Sequence, residues 1–347
     1  MNDAKQVSFG NLLMAYSFCR LVPGAISKRL WFSLLLQYNT YMSSVVVVKL
    51  AQSPDGKFDS GAYRRLLEIG LAALNGAANL KSALAAVLPG GVVGFKTSCL
   101  ARKFNSTPVA LVEALTGLLI DQGFDANDLI VWERTSRELA DAGFVLNASS
   151  QGVRFLGTDA NGIGYAKGFS TSGEVSSLVS RIMTDMIQHS VNLAVLKDHS
   201  VAGLSGGLKN MYGAIHNPNK FHANCCDPYC AHVNNLAPIR QKHRLIIIDA
   251  VRVQYDGGPG YMAQYMATFG ALVISRDPVA ADRVGLEILE KLRQDHGRPS
   301  LAQAGREVKY LKTAKTIGLG EEDLARIDLK TFIVDELGHA EAGELFG

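Results

Sequence analysis

Residues 192–209 read NLAVLKDHSVAGLSGGLK. A mainly apolar run, Asn192 to Leu196, gives way to the polar triplet Lys197, Asp198 and His199, then to small residues at Ala202, Gly203, Ser205, Gly206 and Gly207. Leu208 to Ile215 has the pattern of the helix that follows. A strand apolar on both faces, leading through a loop into a helix, is the unit of parallel sheets covered by helices. The same unit recurs in both directions. Ser44 to Leu50, Gly91 to Thr97, Asp128 to Glu133, Leu245 to Ala250 and Ala271 to Ser275 read as strands. Tyr63 to Asn75, Pro108 to Gln122, Ser172 to Met186 and Pro278 to Leu292 carry helical periodicity. Thr107 or Asp277 can cap a helix whose first residue is proline. The expected fold is α/β: a mostly parallel sheet with helices on both faces, as one body or two intimately joined subdomains. Residues 1–43 read as an N-terminal helical extension, 44–330 as the α/β domain and 331–347 as a C-terminal tail.

Bulk properties narrow the function. Of 347 residues, 48% are apolar and 19% charged, an ordinary globular balance. A net charge of +3 without a block of five like charges gives a nucleic-acid partner no electrostatic support. The apolar stretches Phe9 to Val22 and Leu30 to Leu36 are bounded or interrupted by Arg20, Lys28 and Arg29, short of the roughly 18 uncharged residues of a membrane span. No transmembrane segment is expected. Ser27 to Phe32 faintly resembles a twin-arginine export signal with a lysine in place of one arginine, so a cytoplasmic location is expected, with export as the alternative. The oligomeric state stays open. Five cysteines, three of them clustered, do not form the even, dispersed set of a disulfide framework.

The chemistry concentrates between Leu196 and Cys230. Small residues at Gly203, Ser205, Gly206 and Gly207 permit close approach of a ligand, and a helix start behind them suits an anion. His199 before the loop is a candidate acid/base, and Lys209 behind it a candidate nucleophile or cofactor anchor. The alternatives are a close-packing loop without ligand, and a His199 that only bonds a backbone carbonyl while Asp198 caps the next turn. The spacing is neither that of a P-loop nor Gly-x-Gly-x-x-Gly. His216, His222, Cys225, Cys226, Cys230 and His232 offer soft ligands for zinc, nickel or iron, with buried, inert thiols as the alternative. The repeated Cys-x-x-Cys of a ferredoxin cluster is absent. Lys96, ending a strand, must find an anion or reach solvent. Asp249, Arg252, Asp277, Asp282 and Arg283 are lesser candidates.

The segments VVGFKTSCLAR, LKDHSVAGLSGGLKNMYGAIHNPNKFH, LIIIDAVRVQYDGGPG and SRDPVAADRVG together resemble a bacterial and archaeal family catalogued as domain-of-unknown-function family 362, over roughly residues 44–330. Some of its members carry ferredoxin modules, which this sequence lacks. Over about a dozen residues, His199-x-x-Ala202-Gly203-x-Ser205-Gly206-Gly207-x-Lys209 is similar to a loop of the nickel-pincer lactate racemase family. That similarity implies proton transfer at His199, a tether to a nucleotide-derived cofactor at Lys209, and a nickel ligand at His222 or a nearby cysteine. The expectation is an enzyme that binds a transition metal and an anionic or nucleotide-like cofactor, for proton or hydride transfer on a small polar molecule. A non-catalytic metal or cofactor carrier, or an iron-sulfur-associated redox protein, is the alternative.

Overall fold

The computed structural model describes residues 43–51, 58–76, 79–335 and 337–346. The N-terminal extension and its twin-arginine-like stretch lie outside the described residues. Among the described residues the sheet has ten strands, with β12 (Ala340–Ala342) at one edge, followed by β11 (Ile327–Val334), β1 (Ser43–Leu50), β10 (Met266–Ser275), β9 (His243–Gln254), β7 (His189–His199), β2 (Val93–Lys96), β3 (Leu129–Glu133) and β4 (Arg154–Gly157). The tenth, β8 (Gly203–Ser205), folds back antiparallel on the end of β7. Five of the nine pairings are parallel, including the whole run from β9 to β4.

Both faces of the sheet's centre are covered, which is why its central strands carry runs buried on both sides. In β1 the alternating valines serve opposite layers: Val45 and Val47 pack in one cluster, Val46 and Val48 in the other. Each such burial contributes roughly 1.5–3 kcal/mol. The second layer holds α1 (Ser60–Asn75), α2 (Leu80–Val87), α3 (Val109–Asp121) and α4 (Ser136–Ala142). The first holds α5 (Gly207–Asn210), α6 (Tyr229–Asn234), α7 (Ala237–Lys242), α8 (Pro278–Asp295) and α9 (Tyr310–Thr316). Local chemistry sets the ends. Asp59 caps α1 through the Ala62 amide, Gly76 closes it at φ 56°, and Asp277 caps α8 through the Val279 and Ala280 amides with Pro278 in the first turn. Among the described residues no helix is long and apolar enough to cross a membrane.

Four local expectations are corrected. Ser172 to Met186, whose Val175, Val179, Ile182 and Met183 have helical spacing, forms the β5 (Ser170–Ser172) and β6 (Val175–Ser177) hairpin and a short π-helical turn at Ile182–Met186. Gly173 at φ 51° turns the hairpin, and the flanking serines compete with helix for backbone hydrogen bonds. Leu208 to Ile215 is only one α-turn, α5, followed by a 3-10 turn at Met211–Ala214. The boundary expected at 330/331 falls inside β11, which pairs along its whole length with β1, so residues 331–334 belong to the sheet. Thr107 is not a cap either: its hydroxyl donates to the Leu193 carbonyl and accepts from the Ser98 amide, and Pro108 precedes α3.

Candidate functional site

From β2 the chain runs outward to β3 and β4, then returns to lay β7 on the other side of β2. Ligands of open α/β sheets sit beyond the strand ends at such a reversal. A cavity of about 330 Å³ lies there, lined by residues at the carboxyl ends of β2, β3 and β7, among them Lys96, Glu133, Lys197 and His199. A larger groove of about 640 Å³ runs along α8 and α9, but its charged residues are of both signs and none is buried. The smaller cavity has the chemistry.

Alternation along β7 puts Lys197 and His199 on the cavity side and Asp198 on the other. Asp198 has no exposure and is held by Arg306 at 2.6 Å, Arg293 at 3.4 Å and the Gly258 amide. His199 accepts hydrogen bonds at Nδ1 from the Val201 and Ala202 amides, both at 3.1 Å. Two backbone donors on one nitrogen leave the neutral ring its proton on Nε2. Burial, with Lys209, His222, Lys197 and Arg306 around it, pushes His199 down to about 3, so the ring is neutral at physiological pH.

Lys209 reaches the same cavity from α5. Its Nζ lies 3.0 Å from Nε2 of His222 and 3.7 Å from the centre of the Tyr212 ring. His222 donates from Nδ1 to the Pro218 carbonyl, so Nε2 is the acceptor facing Lys209. The His199 and His222 rings are 5.8 Å apart. Lys96 pairs with Glu133, which also accepts from the Cys99 and Arg134 amides. Neither Lys197 nor Lys209 has a carboxylate within 4 Å among the described residues. Burial pushes both amines down to about 8.

The short helix carrying Lys209 is fixed from three directions. The buried Asp282 of α8 takes the Gly207 and Leu208 amides, Asn192 of β7 donates to the Gly207 carbonyl, and Asn234 of α6 donates to the Leu208 carbonyl. This corrects the reading of the glycine loop. Its helix-start amides serve a protein carboxylate and not a ligand. A Cβ at Gly206 would stand 2.4 Å from Asp282 Oδ1, one at Gly207 1.8 Å from Ile246 Cδ1, and one at Gly203 2.2 Å from the Arg306 carbonyl. The close approach those glycines permit is that of the protein to itself. Ser205 lines the cavity.

The metal candidates do not converge. Among the described residues no three His, Cys, Asp or Glu side chains form a metal-binding group. His216 is exposed and edge-on to Tyr165, and His232 bonds Ser172. Cys226 and Cys230 are fully buried, while Cys225 turns toward the Gly305 carbonyl. Burial raises the Cys226 and Cys230 thiols, which disfavours thiolate. Both nitrogens of His222 are engaged. These residues do not fit a metal. Asn224, Cys225 and Cys226 all have left-handed backbone, φ 49°, 53° and 64°. Asp249 lies on the other face against Tyr63, Asp277 caps α8, Arg283 pairs with Glu287, and Arg252 is exposed.

Glu133, Asn192, Asn210, Tyr212 and Asn234 were not singled out by the sequence reading. Glu133 ends a strand beside Lys96, and that pairing of strand-end charges was its signal. The asparagines gave none.

No curated protein matches the chain. A crystal structure of a protein from Thermotoga maritima is similar over 70% of this chain and 60% of that one, with 13% identity and a TM-score of 0.40, so the chain spans less than two thirds of its length. The profile described as domain of unknown function DUF362 matches residues 95–287, more than half of the chain. That span starts one residue before Lys96 and contains Glu133, Lys197, His199, Lys209, His222 and Asp282; the chain belongs to the DUF362 family.

Proposed function

We propose that the protein is an enzyme that moves a proton at a carbon beside the carbonyl group of a small anionic substrate. The observation that carries this is the pair of buried amines, Lys197 and Lys209, at one cavity without carboxylate partners among the described residues, beside a neutral His199 whose proton is on Nε2. Buried charges are ordinarily paired, so an anion in the cavity would supply what the protein omits. With Lys209 near 8, about a tenth of it is free amine at pH 7, enough for a general base.

In this reading Lys209 Nζ takes the proton from carbon, and His222 Nε2, accepting one N–H, aims the amine. His199 Nε2–H donates to the carbonyl oxygen as negative charge develops there, as a neutral imidazole can. Lys197 holds the anionic group. Return of the proton to carbon gives a redox-neutral isomerisation or racemisation. The loop similarity implies proton transfer at His199. Because its outward nitrogen already carries hydrogen, we assign it the donor's part and Lys209 the acceptor's.

The test is deuterium exchange followed by NMR, with small 2-oxo acids and keto phosphates in D2O. Deuterium should enter beside the carbonyl, and Lys209→Met should slow this at least about a hundredfold without lowering the melting temperature. Compounds that bind but exchange no faster than in buffer would favour a non-catalytic carrier. Binding and exchange untouched by Lys209→Met would remove the cavity from the reading altogether.

A further inference from the structure

Two loops that line the cavity also leave apolar side chains in water. Leu100 is 63% exposed, Phe104 51%, Tyr261 36% and Met262 41%. They come from two loops, one after β2 and one after β9, and each loop also lines the cavity, through Leu100 and Pro259. Phe104 and Tyr261 stack across the two loops with centroids 5.0 Å apart and planes 16° from parallel.

The loops are held, not loose. The fully buried Gln254 donates to the Gly260 carbonyl and accepts from the Met262 amide and Asn105. Asn105, next to Phe104, gives its carbonyl to Lys197 at 2.9 Å. One loop therefore presents an aromatic ring outside and fixes a cavity amine inside. Single exposed apolar residues are ordinary, but an aromatic pair fixed on two loops that also line a cationic cavity is a surface shaped for an occupant.

We infer that the ligand is a ring-bearing anion, its charged head among the cavity lysines and its flat ring against the Phe104–Tyr261 stack. This rests on the anion reading above and narrows it to a substrate class. The cavity has room for a small head group, and the rim takes what projects. A ring on a ring gains from stacking as well as from apolar burial, which separates it from a saturated tail of equal size.

The test uses NMR titration of the full chain with acetate, phenylacetate, cyclohexylacetate, inorganic phosphate and phenyl phosphate. Phenylacetate should bind at least about fivefold tighter than acetate and measurably tighter than cyclohexylacetate, with the same ring gain for phenyl phosphate over phosphate. A Phe104→Ala, Tyr261→Ala double variant, its fold checked by an unchanged melting temperature, should lose the ring gain and keep the affinity for acetate and phosphate. Absence of a ring gain in the wild type, its survival in the double variant, or an equal gain for cyclohexylacetate overturns the inference while the anion reading stands. Failure of both acetate and phosphate to bind, or binding indifferent to Lys197→Met, overturns the anion reading, and this inference with it.

Discussion

Replacing Lys197 with methionine should stabilise the fold at neutral pH and flatten its pH dependence. The amine is 2% exposed and among the described residues has one hydrogen-bond acceptor, the Asn105 carbonyl. Burial holds it near 8 in the folded chain, against about 10.4 when unfolded. Between those values the folded chain binds fewer protons than the unfolded one, so wild-type stability rises with pH across that window. At 1.36 kcal/mol per pH unit the full rise is about 3 kcal/mol, of which about 2 kcal/mol falls between pH 7.5 and 9.5. Methionine keeps most of the volume and carries no charge. Losing the bond to Asn105 costs about 1 kcal/mol, which leaves the variant ahead by about 2 kcal/mol at pH 7. Lys209 titrates in both proteins and cancels in the difference. Urea unfolding at several pH values in a buffer free of carboxylate and phosphate, extrapolated to water, gives that difference. It should shrink by about 2 kcal/mol from pH 7.5 to 9.5. Curves that stay parallel would mean that Lys197 does not titrate there, and the unpaired buried charge would be lost as an argument.

Gly207→Ala should destabilise by about 1–3 kcal/mol in the same urea assay, because its new Cβ would stand 1.8 Å from Ile246. Cys225→Gly should raise stability by up to about 1 kcal/mol in chemical unfolding, since the half-buried thiol makes only a long 3.6 Å bond to the Gly305 carbonyl and glycine adopts φ 53° without steric cost.

The layers and most strand positions were legible because a two-sided apolar strand can be satisfied only by helices on both faces. The position of the site was legible in part. Period-two alternation along β7 places Lys197 and His199 together and sends Asp198 the other way, and a lysine ending β2 needs a counter-charge, met by Glu133. Partners far along the chain were not legible. Asp282 stands 75 residues beyond the Gly207 amide it accepts, and Arg306 is 108 residues beyond Asp198. Glycines announce that something approaches closely, and only the folded chain says whether that is a phosphate or an isoleucine. The cysteines misled for a related reason: density along the chain is not convergence in space, and Cys226 and Cys230 face the core.

The tautomer of His199 was beyond sequence as well, and it decides the most about mechanism. A histidine bonded to a backbone carbonyl through Nδ1 would turn a lone pair toward the cavity and serve as a base. Bonded instead to the Val201 and Ala202 amides, it turns a hydrogen there. In the proposed mechanism the base must then be sought elsewhere, and the amine of Lys209, lowered by burial and beside the acceptor nitrogen of His222, is the group we assign. One pair of backbone bonds thus exchanges the parts that the order of residues along the loop would have assigned.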